Sequence, residues 1–208
     1  MNSKRKCGGC SQYFRPEQTF PGTVAWCSPD CGLIVAGKRT ITLKRSEKAV
    51  ERKESREAVQ RLKDNDKSHQ MALTKREAQR LGNLLDKVAG FGCISCETEK
   101  PDIQYCGGHF KTAGGNPEIA LDIRNISRQC NVYCNQHLSG NINGTKNSKG
   151  YKSGLIDRYG PAYVEWLESY HEPKKYTCED LKELRKVYAA EIRRLKAGEK
   201  PSRNWREL

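Results

Sequence analysis

Cys93-Ile-Ser-Cys96, Gly-Gly-His-Phe at 107–110, Arg-Asn-Ile at 124–126 and Cys130-Asn-Val-Tyr-Cys134-Asn135 follow one another inside the stretch 93–141, and this stretch decides the fold. Four thiolates in two close pairs can hold one zinc ion tetrahedrally. Such a site supplies folding energy to a segment too small to build its own core. Between the pairs lie His109 and Asn125, and Asn135 follows the last cysteine directly.

The composition explains why such a clip is needed. Of the 208 residues 36% are apolar and 30% charged, which argues against a single large hydrophobic core and for one or two small domains. Ten cysteines therefore carry structural weight. The opening Met-Asn-Ser-Lys-Arg-Lys has no apolar run behind it, and no stretch has the length of a membrane span, so thiolates on metal in a reducing cytoplasm are expected in place of secreted disulfides. The net charge of +13 favours a polyanionic partner, because neutralising phosphates releases condensed counterions. Nucleic acid is the expected partner, and no membrane is.

Outward from the central stretch, residues 1–37 form the first expected domain. Cys7-Gly-Gly-Cys10 and Cys27-Ser-Pro-Asp-Cys31 are again two close pairs, about one hairpin apart, and read as a zinc ribbon. Tyr13, Phe14, Phe20 and Trp26 are expected to cover its small core. Its role is open among DNA binding, protein binding and nucleation of folding. Residues 38–90 form a charged helical arm: 44–68 alternate acids and bases at helical spacing, either a spacer or an arm along a phosphate backbone. Leu73, Ala78, Leu81, Leu84, Leu85 and Val88 then mark an amphipathic helix, with Thr74 and Glu77 as a capping box and Gly90 and Gly92 as its end. The core domain spans 91–160 and includes a polar loop, 142–150, expected to be mobile or a plain surface turn. Helices are expected near 151–159, 161–171 and 178–197, with Thr177 as N-cap of the last and Leu181, Leu184, Val187, Tyr188, Ile192 and Leu195 on its apolar face. Residues 161–208 make the C-terminal helical region, whose basic end after Gly198 is expected to fray.

Hydrolysing a phosphodiester needs a base to activate water and a cation to stabilise charge at the scissile phosphate. The His-Asn-His (HNH, ββα-metal) nuclease arrangement meets that need on a hairpin followed by a helix. This sequence offers His109, Asn125 and Asn135 in that order inside the cysteine frame. The fold class expected is therefore α+β, small and zinc-stabilised: a zinc ribbon, a charged helical segment, an HNH-like ββα-metal core and C-terminal helices.

Cys93-Ile-Ser-Cys96, Gly108-His109-Phe110, Arg124-Asn125-Ile126, Gln129-Cys130 and Cys134-Asn135-Gln136-His137-Leu138-Ser139-Gly140-Asn141 resemble the NinG/Rap recombination proteins of lambdoid phages. The likeness continues through Tyr151, Leu155, Arg158, Tyr159 and Gly160, and the order of parts matches over nearly the whole chain. The resemblance implies a divalent-metal-dependent, structure-specific endonuclease acting on Holliday junctions and D-loops, in the cytoplasm of an infected or lysogenic host. His109 would be the general base, Asn125 its orienter and Asn135 a ligand of a catalytic Mg2+ or Mn2+. Structural zinc would sit on Cys7, Cys10, Cys27 and Cys31 and on Cys93, Cys96, Cys130 and Cys134.

Two departures stand out. Cys130 and Cys134 are separated by three residues where the family has two. The carboxylate that many such enzymes carry beside or three residues before the His is replaced by Gly108 and Cys106. Asp102 or Asp122 then supplies it, or His137 completes the site, or the ion is held mostly by water and phosphate. Cys106 reads as a small buried residue. Lys111, Arg124, Arg128, Lys146, Lys149 and Lys152 are the expected DNA contacts. Symmetric cutting of a four-way junction calls for two active sites and hence a homodimer, for which the 178–197 helix is either an interface or internal packing. Two rivals remain: a branched-DNA-binding accessory factor with a nuclease-like fold and no activity, and a zinc-dependent transcriptional or RNA-binding adaptor.

Overall fold

The computed structural model describes residues 3–16 and 24–208. The chain divides into two compact units, Met1–Leu62 and Lys63–Leu208. No helix among the described residues is long and apolar enough to cross a membrane.

In the first unit a two-residue hairpin, β1 (Arg5–Lys6) with β2 (Tyr13–Phe14), flanks a tight knuckle at Cys7–Cys10. A Cβ on Gly9 would lie 2.6 Å from the Cys31 Cβ and 2.7 Å from its Cα, so only glycine lets the knuckle pass this close. The aromatic cover expected here does not form as read. Tyr13 is 72% and Trp26 51% exposed, Phe14 is half-buried, and Phe20 lies outside the described residues. Among the described residues of this unit the buried side chains are those of Cys7 and Cys31, not aromatic ones. Helix α1 (Pro29–Asn65) starts with Pro29 in its first turn and runs for 37 residues, burying only Cys31. Its exposed Lys53–Glu57 pair, 3.9 Å apart, is worth only a few tenths of a kcal/mol.

The second unit is built on α2 (Lys67–Val88). Its N-cap is Asp66, whose carboxylate accepts from Ser68 N–H. Thr74, expected to cap, instead sits buried in mid-helix, and its hydroxyl lies 2.9 Å from the carbonyls of both Gln70 and Leu181. The helix stops at Gly90, whose φ of +78° suits glycine.

Against α2 lies the antiparallel hairpin of β3 (Tyr105–His109) and β4 (Ile126–Cys130), in register from Tyr105↔Cys130 to His109↔Ile126. Glycines make this approach feasible. A Cβ on Gly82 would stand 2.7 Å from the Ile126 carbonyl, and one on Gly107 would collide with the Gln79 main chain. A 3-10 turn, Ile123–Asn125, leads into β4, and a π-helical turn, Asn131–His137, leads out of it. Three further helices follow: α3 (Tyr151–Tyr159), α4 (Pro161–Glu168) and α5 (Cys178–Lys196), the last closed by a Thr177/Asp180 capping box.

Two apolar clusters hold these parts. One joins α2 and α5 through Ala78, Leu81, Leu85, Tyr188, Ile192 and Leu195, and includes Ile123, Ile126 and Trp205. The other gathers Ile94, Phe110, Ile119, Tyr151, Leu155, Tyr163, Val164 and Leu167 under α3 and α4. The apolar face of α5 is thus spent on α2, although Val187 stays 47% exposed. The segment after Gly198 does not fray: Trp205 is buried and its indole N–H donates to Glu191. The 142–150 loop is likewise structured, with main-chain bonds between Thr145 and Ser148 and an Asn141–Ser148 side-chain bond of 2.8 Å.

Candidate active site and metal centres

Among the described residues, two groups of side chains have three or more Cys, His, Asp or Glu donor atoms close enough to share an ion: Cys7/Cys10/Cys27/Cys31 and Cys93/Cys96/Cys130/Cys134. Within each, all sulfurs lie within 4.8 Å of one another. Adjacent sulfurs are 3.5 Å (Cys10–Cys27) and 3.6 Å (Cys96–Cys130) apart. A zinc tetrahedron with bonds of about 2.3 Å has sulfur–sulfur edges of roughly 3.8 Å, so both clusters fit the ion.

The chemistry of the thiols agrees. At Cys93, burial opposes ionisation, yet backbone N–H groups of Cys130, Cys96 and Ser95 outweigh it and lower the pKa. Burial and then the Cys93 charge push Cys134 up to about 12, and the same causes raise Cys130. Packed this closely, the sulfurs share negative charge only with a cation among them. Four soft donors select zinc over a hard ion.

The three-residue spacing of Cys130 and Cys134 is absorbed by the π-helical turn, in which Leu138 N–H reaches back five residues to the Tyr133 carbonyl. A π-turn accommodates an extra residue without breaking the helix, and both sulfurs still reach the cluster. Asn141 closes it from outside, its carboxamide 3.6 Å from Cys134 Sγ.

At the far end of β3, His109 is half-buried, with Nε2 2.9 Å from the Ala120 carbonyl. That bond assigns the proton to Nε2 and the lone pair to Nδ1. Nδ1 is not among the enclosed, unpartnered polar atoms. Burial lowers the His109 pKa; the Ala120 carbonyl opposes that and Lys75 adds to it. The imidazole is therefore neutral at pH 7.

Asn125 is fully buried and ties off the loop that carries Ala120. Its Oδ1 accepts from Lys111 N–H (2.8 Å), and Nδ2 donates to the carbonyls of Lys111 (2.9 Å) and Ile119 (3.2 Å). The loop from 111 to 120 is thus pinned at both ends by one carboxamide. His109 and Asn125 meet through this loop. Asn135 lies half-buried and His137 exposed on the π-turn; among the described residues neither side chain makes a hydrogen bond, and Asn135 is held by its carbonyl, which accepts from Gly140 N–H.

The carboxylates are placed elsewhere. Asp122 spends both oxygens on the Arg124 guanidinium (2.9 and 2.7 Å), which overcomes the cost of burial and holds its pKa below the ordinary range. Asp102 is exposed. Gly108 has no room for a side chain, since a Cβ there would run into the buried Gln129 amide. Gln129 in turn donates to Ser95 Oγ and the Gly140 carbonyl. The absent acid beside His109 is therefore a packing consequence as well as a sequence fact. Cys106 is partly buried, and burial raises its pKa to about 11.

The six expected DNA contacts divide sharply. Lys149 pairs with Glu97 and Asp157, Lys152 with Glu168, and Arg124 with Asp122 while stacking 3.9 Å from the Trp166 ring centre. Arg128 bonds Asn83 and lies 3.7 Å over Tyr105. Lys111 and Lys146 have no ion pair among the described residues. Two residues hold the site in roles that the sequence does not assign them. Tyr151 bridges the hairpin, donating to the Gly108 carbonyl and accepting from Ser127 N–H. Asp86, an acid inside the apolar stripe of α2, receives Arg206 and the Arg128 N–H. An acid at a core position was the available signal for a buried cation partner.

No solved structure matches the chain. The family model for bacteriophage lambda NinG protein matches residues 1–199. The chain is 34% identical to protein ninG of Salmonella phage P22 over 204 residues, covering 94% of this chain and 95% of the relative. It is 33% identical to protein ninG of Escherichia phage lambda over 203 residues, covering 93% and 94%. With the cysteine clusters, His109 and Asn125 inside a match of that length, the chain belongs to the NinG family of lambdoid phages.

Proposed function

We propose that the chain is a divalent-metal-dependent DNA endonuclease with an HNH-like (ββα-metal) core, cutting branched recombination intermediates such as four-way junctions and D-loops. The observation that carries this reading is the coupling of His109 to Asn125: the carboxamide ties the 111–119 segment, and the adjacent Ala120 carbonyl fixes the imidazole proton on Nε2. Nδ1 is then the base that takes a proton from the attacking water. Lowered pKa keeps that nitrogen unprotonated at neutral pH. Lys111 sits next to the pinned loop end, where its ammonium can meet a phosphate.

A Mg2+ or Mn2+ ion at Asn135, with His137 beside it, would neutralise charge at the scissile phosphate. With Asp122 committed to Arg124, such an ion would be held by few protein groups and would draw on water and DNA oxygens. The net charge of +13 and NinG membership support branched DNA as the partner in phage recombination. Two copies would serve the two strands of a junction.

The same commitment of Asp122 favours one rival, a junction-binding factor without activity. Incubating the zinc-loaded protein with labelled duplex, single strand and four-way junction, in EDTA, Mg2+ or Mn2+, separates them. The nuclease reading expects cuts in the junction with metal only. Junction binding without cuts under every metal condition would replace it by the rival.

A further inference from the structure

The segment 201–208 is tied into the second unit by side chains that reach the Asn125 turn. Trp205 packs 5.9 Å from Tyr188, and Glu191 receives both its indole N–H and the Ser202 N–H. This anchoring carries Arg206 inside, with its side chain only 11% exposed. Arg206 Nη1 donates to the carbonyls of Ile123 (2.5 Å) and Ile126 (2.7 Å), and Nη2 donates to Asp86 Oδ1 at 2.8 Å. Ile123 and Ile126 bracket Asn125 across the 3-10 turn. One guanidinium therefore fastens both sides of the Asn125 turn to the carboxylate of α2.

The arrangement is specific to arginine. A planar fork can serve two carbonyls and a carboxylate together, whereas an ammonium is a single point. Bonds from a charged donor are stronger than neutral ones, and a buried carbonyl left without a partner is costly. Asn125 has no slack of its own, because its carboxamide is already shared among three main-chain groups. Any drift of the turn is passed to the loop that holds Ala120 against His109.

We propose that Arg206 is a positioning residue for the His109–Asn125 pair, acting through the Ile123–Ile126 backbone. This rests on the reading of His109 as the base, but its first test does not need activity. The full chain with its metals is compared with Arg206→Lys and with Leu195→Ala, which weakens the same apolar cluster but removes none of the Arg206 bonds. Imidazole nitrogen shifts of His109 and hydrogen exchange of the Asn125 carboxamide are measured by NMR. Arg206→Lys is expected to mix the His109 tautomers and speed Asn125 exchange at least tenfold beyond the change seen in Leu195→Ala. Wild-type shifts, with exchange no faster than in Leu195→Ala, would make Arg206 a stabilising residue only and overturn the proposal.

If Arg206→Lys does not fold, native-state exchange of the wild type decides. The Arg206 guanidinium and Asn125 carboxamide protons should open with the same denaturant dependence, and separate opening overturns the proposal. On a four-way junction, kcat of Arg206→Lys should fall at least tenfold with KM within threefold. A wild type that never cuts would refute the nuclease reading while leaving the NMR result to decide Arg206.

Discussion

Cys93→Ser is expected to lower bound zinc from two ions to one per chain and to unfold Lys63–Leu208. Cys93 is fully buried, its sulfur accepts the Cys130 N–H, and its loop also docks on β4 through the Ile94–Arg128 main-chain bond. Structural zinc contributes an apparent binding free energy of about 10–16 kcal/mol in small modules. Domain stability as a whole is about 5–15 kcal/mol. A two-stranded hairpin has little stability alone, so the loss is comparable to the whole stability of a domain. Metal analysis and circular dichroism check this. Two zinc ions with a native spectrum would show that the cluster is not a clip.

His109→Ala is expected to reduce junction cleavage by about 10²–10⁴-fold, the usual share of a general base, with junction affinity changed only a few-fold. The variant removes the ring but none of the three bonds that Asn125 makes, so the hairpin keeps its frame. The pH dependence of the wild type follows from the lowered pKa. A His with pKa below 6.5 stays neutral further into acid than a free one, so kcat/KM should be level near pH 7 and fall only below pH 6.5. Undiminished cutting by His109→Ala, or an acid limb centred above that value, would contradict the assignment.

What was legible in the sequence was local. The cysteine spacings bring each set of four sulfurs together, and the Thr177 cap follows from neighbouring residues alone. Thr74 does not cap, because its hydroxyl is taken by the Leu181 carbonyl, 107 positions away, while Asp66 caps the helix. The segment after Gly198 is basic and carries no local signal of order, yet Trp205 and Arg206 are drawn inside by Glu191 and Asp86. Charge counting does not see ion pairs: Lys149 and Lys152 are bases in the sequence and have carboxylate partners in the fold. Of the candidate site, Asn125 is named by its place in the sequence, and its three bonds to Lys111 and Ile119 come from the fold. The exclusion of a side chain at 108 by Gln129 depends on strand register and could not be read ahead of it.

On the proposed mechanism the cysteine clusters serve structure, while a separate, exchangeable divalent ion would serve chemistry. The most direct measurement is junction cleavage recorded alongside zinc content during a brief EDTA treatment and refilling with Mg2+. Cutting is expected to stop while two zinc ions and the native spectrum remain, and Mg2+ alone should restore it. Cutting that persists in EDTA, or that returns only with added zinc, would contradict that mechanism.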